Sequence, residues 1–321
     1  KHILEQMEAD FLMKFPDEEY DVIVDAIFGV GLKREVAGRH REVIERLNQM
    51  EALKVAVDVP SGVDASAGQI LGIAFEADIT VTFGLPKVGL LLYPGADVSG
   101  EVIVKEIGFP NKAVEEIAPQ MVSFTTDDLE LLPERKAWTN KGSYGKVLLI
   151  AGSKNMAGAA LLSGTAAYKS GSGLVRIFSC EENRVILQEK LPEAILTTYD
   201  SEEKAWELLP ESLSWASVIG IGPGIGQSAF ASKLVKQVLT LGKAPLVIDA
   251  DGLNNLAALL QEDTELRQLF HEYEGGMILT PHLKEMSRLT GEEIAEIRSN
   301  LPKAAASTAD KGHVIVLKDA R

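Results

Sequence analysis

Residues 141–160 read KGSYGKVLLIAGSKNMAGAA. The apolar run from Lys146 to Ile150 sits between Gly145 and Gly152 and predicts a short strand. A small-residue loop follows, and the alanine-rich stretch from Met156 to Lys169 predicts a helix. Strand, loop and helix in this order make the repeating unit of a parallel α/β sheet. They also aim backbone N–H groups at a helix N-terminus, where an anion can bind. No Gly-Lys-Ser/Thr closes the loop, so it is not a Walker A motif. Tight helix–strand packing explains the small residues equally well.

The same alternation continues downstream. Strands are expected at 173–178, 215–221, 244–248, 276–279 and 313–317. Helices are expected at 228–241, 249–260, from His282 onward and at 304–311. Upstream, buried strands are expected at 20–28 (YDVIVDAIF), 54–59, 77–83 and 101–107. Between the first two, Val43, Ile44 and Leu47 recur at helical spacing within 38–50. Residues 111–139 carry several acids, Pro119 and Pro133, and predict a connection with one short helix at 127–131. The expectation is an α/β protein of two doubly wound domains, 1–110 and 141–321, joined by a linker at 111–140.

The length of 321 residues agrees with two domains at roughly 150 residues each. Hydrophobic residues make up 46% and charged residues 25%, which suits two packed cores rather than disorder. No apolar run reaches the roughly 20 residues a membrane helix needs. Acids number 47 against 32 Lys and Arg, for a net charge of −15. Such a chain is a poor general binder of nucleic acid or anionic membrane. It can still hold a small anion on backbone N–H groups. Cys180 is the one cysteine, which excludes an intrachain disulfide and a cysteine-rich zinc site. A cytoplasmic, reducing setting is expected.

Candidate sites fall in loops after strand ends, where α/β proteins place ligands. Asp25 interrupts an apolar strand and needs a partner or a cation. Gly29, Val30 and Gly31 form a turn whose amides could face phosphate, beside Leu32, Lys33, Arg34 and Glu35. A glycine turn carrying a surface basic pair is the competing reading. Asp58 ends the next strand, ahead of Pro60, Ser61, Gly62 and Asp64; it is a general acid/base or a turn-former. Lys87 in FGLPK is a phosphate contact or, more simply, a solvated side chain. In the second half, Gly220, Gly222, Gly224 and Gly226 close a strand, and Pro223 excludes a standard dinucleotide fingerprint. Asp249 and Asp251 follow another strand, one of them as a helix cap. His282 and Glu285 lie one helical turn apart after Pro281, placed for one ligand or its hydrated Mg²⁺.

The ordered motifs VDAIFGVGLKRE, VAVDVPSGVD and TVTFGLPKVGLLLYPG resemble the later part of NAD(P)H-hydrate epimerase, over about residues 20–110. The resemblance implies a Rossmann-like domain of which this is the C-terminal part. It implies that Asp25 and Ser61 ligate K⁺, that 29–35 lines the hydrate's phosphates, and that Asp58 is the acid/base. The family's earlier Asn-Asn-Gly-Gly-Asp loop is not in this sequence.

KGSYGKVLLIAGS, MAGAA, IGPGIG, VIDADGLN and LTPHLKE resemble the ADP/ATP-dependent NAD(P)H-hydrate dehydratase, from about residue 141 to 321. This implies the N-terminal part of a ribokinase-like domain. By the resemblance Ala160, Gly222, Gly224, Gly226 and His282 contact the hydrate, and Glu285 helps to organise Mg²⁺. Lys318, Asp319, Ala320 and Arg321 would begin the loop holding ADP or ATP. The family's Gly-Ser-Gly-Asp segment, with its general base, would lie beyond Arg321. The sequence is therefore expected to be truncated at both ends and weak or inactive by itself. The parent would be bifunctional, acting on hydrated NADH and NADPH, and a homo-oligomer. The alternatives are a ribokinase-type sugar or vitamin kinase, which usually has Asn in place of His282, and a non-catalytic nucleotide-binding scaffold.

Overall fold

The computed structural model describes residues 6–7, 19–117, 121–309 and 313–319. The chain divides into two compact units, Lys1–Ser123 and Phe124–Arg321.

The first unit is built on four parallel strands: β1 (Val22–Asp25), β2 (Leu53–Val57), β3 (Ile79–Phe83) and β4 (Glu101–Lys105). They lie in the order β1-β2-β3-β4. Register pairs Val24 with Val55, Val55 with Ile79, and Ile79 with Glu101. Helix α1 (Gly38–Gln49) crosses from β1 to β2. Its Ile44 is buried with Ile23, Ala56 and Phe75. No helix joins β2 to β3; that connection instead packs Val59, Val63 and Ala74 around Leu90. Strand β1 is not buried throughout as expected. It alternates, with Ile23 and Asp25 inside while Val22 and Val24 are 49% and 61% exposed. Period-two side-chain alternation produces this wherever one sheet face is uncovered among the described residues.

The second unit holds β5 (Lys146–Ile150), β6 (Leu174–Cys180), β7 (Ile195–Tyr199), β8 (Val218–Ile221), β9 (Leu246–Ile248), β10 (Met277–Leu279) and β11 (His313–Ile315). All are parallel, in the order β11-β10-β9-β8-β5-β6-β7. The chain runs outward from β5 in one direction, then returns to β8 on its other side. The doubly wound switch point therefore lies between β5 and β8. Leu148 pairs with Ile219 there, and both are fully buried. Helices α2 (Ala157–Lys169), α3 (Glu202–Trp215), α4 (Ala229–Leu241), α5 (Asp251–Glu262) and α6 (Leu283–Thr290) cover the sheet. Leu234, Val235 and Val238 of α4 pack with Ile221, Ile248 and Leu256.

Most expected elements appear with edges shifted by a few residues. The expected strand from Trp215 instead begins at Val218, because Trp215 ends α3. Helix α3 and strand β7 have no counterpart in the sequence reading. Pro210 lies inside α3 and breaks the helical signal, although Leu209 and Leu213 on either side are buried. The final helix ends at Thr308, and the rest of its expected span to Lys311 includes residues outside those described.

Candidate functional site

Each unit gathers its candidate residues at the carboxyl ends of its strands. In the first, Asp25 closes β1 and is 1% exposed. Its carboxylate accepts hydrogen bonds from the Ser61 amide and hydroxyl, both at 2.7 Å, and from the Ile27 amide at 3.2 Å. Ser61 Oγ in turn accepts from the Phe28 amide at 2.8 Å. Two residues 36 apart thus tie the loop after β1 to the loop after β2. The charge of Asp25 is compensated by N–H and O–H donors, as burial requires. The carboxylate, the Ser61 hydroxyl and the Phe28 carbonyl, 3.3 Å from that hydroxyl, present converging hard oxygen donors. This chemistry fits an alkali cation. Ser61→Ala should speed amide exchange in β1 and β2 by roughly tenfold or more, since a lost bond to a buried charge costs about 1.5–3 kcal/mol. Unchanged protection in hydrogen-exchange mass spectrometry would show the hydroxyl to be idle.

Asp58 follows β2 with φ 68°, a left-handed conformation that costs a non-glycine residue energy. Its amide donates to Val81 across the sheet at 2.8 Å. Its Oδ1 accepts from the Thr82 hydroxyl and the Phe83 amide, each at 3.1 Å, and from the Lys87 ammonium. Burial pushes the Asp58 carboxyl up. The Lys87 ammonium and the Phe83 and Thr82 donors outweigh it and hold the group below its ordinary value. Lys87 is accordingly not the solvated side chain of the simpler reading. It is the partner of the candidate acid/base, and Thr82 is a buried bridge between them. Sequence spacing carried no signal for this pair, 29 residues apart.

Gly29, Val30, Gly31, Lys33, Arg34 and Glu35 form an exposed loop. A Cβ on Gly29 or Gly31 would meet open space, so a ligand has room to approach the backbone. Leu32 differs from its neighbours: it is half-buried against the Ile23–Phe75 cluster and anchors the loop from beneath.

In the second unit the loops after β5 and β8 meet at the switch point. The Gly152 amide donates to the Pro223 carbonyl at 2.8 Å. Gly222, at φ 128°, passes so close to the next loop that a Cβ would lie 1.8 Å from the Asp249 carbonyl oxygen. A Cβ on Gly224, at φ 67°, would lie 2.7 Å from Ala159 Cβ. Gly226 is at φ 77° with open space around it. Its amide donates to Asp251 Oδ2 at 3.0 Å, and its carbonyl accepts from buried Asn255 at 2.9 Å. Ala160, expected to touch substrate, is fully buried. Its methyl packs beneath Gly152 and supports the turn.

Asp249 Oδ1 accepts from Thr280 Oγ1 and from Lys318 Nζ, both at 2.7 Å. Burial pushes this carboxyl up, but Lys318, Thr280 and the Ala250 amide together hold it below its ordinary value. Neither aspartate caps the following helix, contrary to expectation. The cap position is Ala250, at φ 50°, with no side-chain bond, while Asp251 holds the glycine loop. His282 and Glu285 do cap a helix. His282 Nδ1 accepts from the Lys284 and Glu285 amides at 3.1 and 3.2 Å, and Glu285 accepts from the His282 amide at 2.9 Å. The ring remains 51% exposed at the strand ends, while the Glu285 side chain is 6% exposed. Lys318 bridges to His282 through its backbone, its amide donating to Pro281 at 2.8 Å. Asp319 is half-buried beside it, and Ala320 and Arg321 lie outside the described residues. No group of three or more metal-ligating side chains occurs among the described residues. Mg²⁺ typically takes one or two carboxylates, with waters and phosphates completing its shell, so a single Glu285 is compatible with it.

A parallel sheet of seven strands among the described residues, with glycine loops at its switch point and charged pairs beyond the ends of β9 to β11, defines an α/β protein of ribokinase-like fold. A ribokinase-like superfamily protein from Enterococcus faecalis superposes with a TM-score of 0.51 and 28% identity, over 61% of this chain and 65% of that one. The chain belongs to the NAD(P)H-hydrate dehydratase family, whose model matches residues 147–321. A second model, the YjeF-related protein N-terminus, matches residues 1–89. The chain is 37% identical to the bifunctional NAD(P)H-hydrate repair enzyme of Thermofilum pendens and 38% identical to that of Moorella thermoacetica. Each match covers 94% of this chain and 57% of the relative, so the chain spans little more than half their length. No helix among the described residues is long and apolar enough to cross a membrane.

Proposed function

We propose that this chain belongs to a nicotinamide-nucleotide repair system that carries both of its steps. The first unit epimerises hydrated NADH and NADPH. The second uses ADP or ATP to phosphorylate the hydroxyl of one epimer, and phosphate then leaves to restore the reduced nicotinamide. The observation that carries this reading is the pair of strand-end sites in one chain, each under its own family match. The first site would supply the stereoisomer that the second consumes.

On this reading the domains run 1–110 and 141–321, with 111–140 as linker. Asp58 is the acid/base. Residues 29–35 line the hydrate's phosphates, and Asp25 and Ser61 hold K⁺, which would fix the two loops and offset ligand charge. In the second unit Gly222, Gly224, Gly226 and His282 face the hydrate, and Lys318 with 319–321 receives the nucleotide phosphates. Glu285 takes part in holding Mg²⁺, which would neutralise phosphoryl charge. The ligands are small anions rather than nucleic acid or membrane, the setting is cytoplasmic, and the assembly is a homo-oligomer. The acidic composition supports the first of these.

The test uses the longest product of the reading frame. It is incubated with both epimers of hydrated NADH, K⁺, Mg²⁺ and either ADP or ATP, and the reduced-nicotinamide absorbance is followed. Complete recovery from the epimer mixture is expected. Recovery of one epimer's share alone would remove the epimerase assignment. No recovery with either nucleotide would remove the dehydratase assignment.

A further inference from the structure

We propose that Lys87 is a positioning residue that fixes Asp58 as an ionised base with one oxygen left for the ligand. The ammonium has three protons, and the structure offers three acceptors: Asp58 Oδ1, Thr82 Oγ1 at 3.0 Å and the Phe83 carbonyl at 2.9 Å. Thr82 Oγ1 donates a hydrogen bond to Asp58 Oδ1 at 3.1 Å, so lysine, threonine and aspartate close a hydrogen-bonded ring in which the carboxylate only accepts. Every side-chain bond described for Asp58 falls on Oδ1.

The arrangement has the marks of a built support. Thr82 is fully buried in β3, and the side chains of Lys87 and Asp58 are each 21% exposed. The backbone of Asp58 is held at positive φ, and its side chain reaches Thr82 and Phe83 of β3 and Lys87 of the FGLPK turn. A residue kept in a sparsely populated conformation by several partners is over-determined, and such over-determination is typical of functional sites. Lys87 is the charged side chain in contact with Asp58 among the described residues. A compact tetrahedral ammonium matches three divergent acceptors, whereas the planar fork of arginine does not. Charge alone is therefore insufficient, and lysine is specified by shape.

The inference deepens the epimerase reading, and its test has one arm that does not need substrate. Carboxyl carbon NMR of the chain follows the titration of Asp58. In Lys87→Met the midpoint should move upward, because burial continues to raise the carboxyl while its principal counter-charge is gone. In Lys87→Arg it should move less, with the charge kept. Thr82→Val removes one acceptor of the ammonium and should move it upward as well, which serves if Lys87→Met does not fold. The second arm is the pH profile of epimerisation. Its acidic limb should move upward in Lys87→Met, and the rate on the plateau should fall by about tenfold, the equivalent of one charge-assisted hydrogen bond. Lys87→Arg should recover the limb more than the plateau. An Asp58 midpoint unchanged in all the folded variants would overturn the positioning role. A shifted midpoint in a wild-type chain without epimerase activity would keep the Lys87–Asp58 coupling and discard the base it was inferred to serve.

Discussion

Gly222→Ala is expected to destabilise the second unit by roughly 2–6 kcal/mol, as a strained φ adds to an overpacked contact. The site explains the size. At φ 128° the residue lies outside what an L side chain adopts readily, and its Cβ would stand 1.8 Å from a carbonyl oxygen of the next loop. Both obstacles are backbone, so no rotamer change relieves them. Gly226→Ala is the internal control. Its φ of 77° is also positive, but a Cβ there meets open space. The cost should stay near the roughly 1–2 kcal/mol of a left-handed residue. All three tryptophans, Trp138, Trp206 and Trp215, belong to the second unit, so their fluorescence in urea reports on it selectively. Equal midpoints for the two variants would mean that the loops after β8 and β9 are not in the contact described.

Asp58→Asn should lower epimerisation by about 10² to 10⁴-fold, the usual contribution of a general acid or base. The fold should survive it, because asparagine tolerates positive φ and its amide oxygen can accept what Oδ1 accepts now. The substitution therefore separates proton transfer from architecture. Chromatographic interconversion of the two hydrate epimers measures the first, and thermal melting the second. A loss of only a few-fold with an unchanged melting temperature would move the acid/base role to another group.

The sheets were legible because parallel strands leave a local signature, short apolar runs closed by glycine, proline or aspartate. The KVLLI run forms β5 entire, while the expected strands at 54–59 and 215–221 are strand only over 54–57 and 218–221. Helix α3 escaped because Pro210 interrupts a pattern that tertiary packing sustains. The glycine-rich stretch at 220–226 was legible as the close of a strand, but its reason for being glycine was not. That reason is a carbonyl 27 residues away at position 249. The charged pairs were the least legible feature. Lys87 finds Asp58 across 29 residues and Lys318 finds Asp249 across 69, and nothing periodic marks either partner. One of Asp249 and Asp251 is expected to cap α5 and neither does, for a related reason. An aspartate after a strand is a good cap in isolation, yet here the glycine loop recruits Asp251 first.

On the proposed reading the loops meet phosphate with glycine amides and a few cations, Lys33, Arg34 and Lys318, rather than with a ring of arginines. Amide dipoles act over a few ångströms, whereas the net charge of −15 acts over a screening length. That length is about 30 Å at 0.01 M salt and about 8 Å at 0.15 M. A phosphate-bearing ligand must therefore approach against the far field before the near field can capture it. Added salt should hasten encounter with this chain, the reverse of what basic, phosphate-seeking proteins show. On that reading its selectivity would be biased toward compact anions, and away from long polyanions that feel the whole surface.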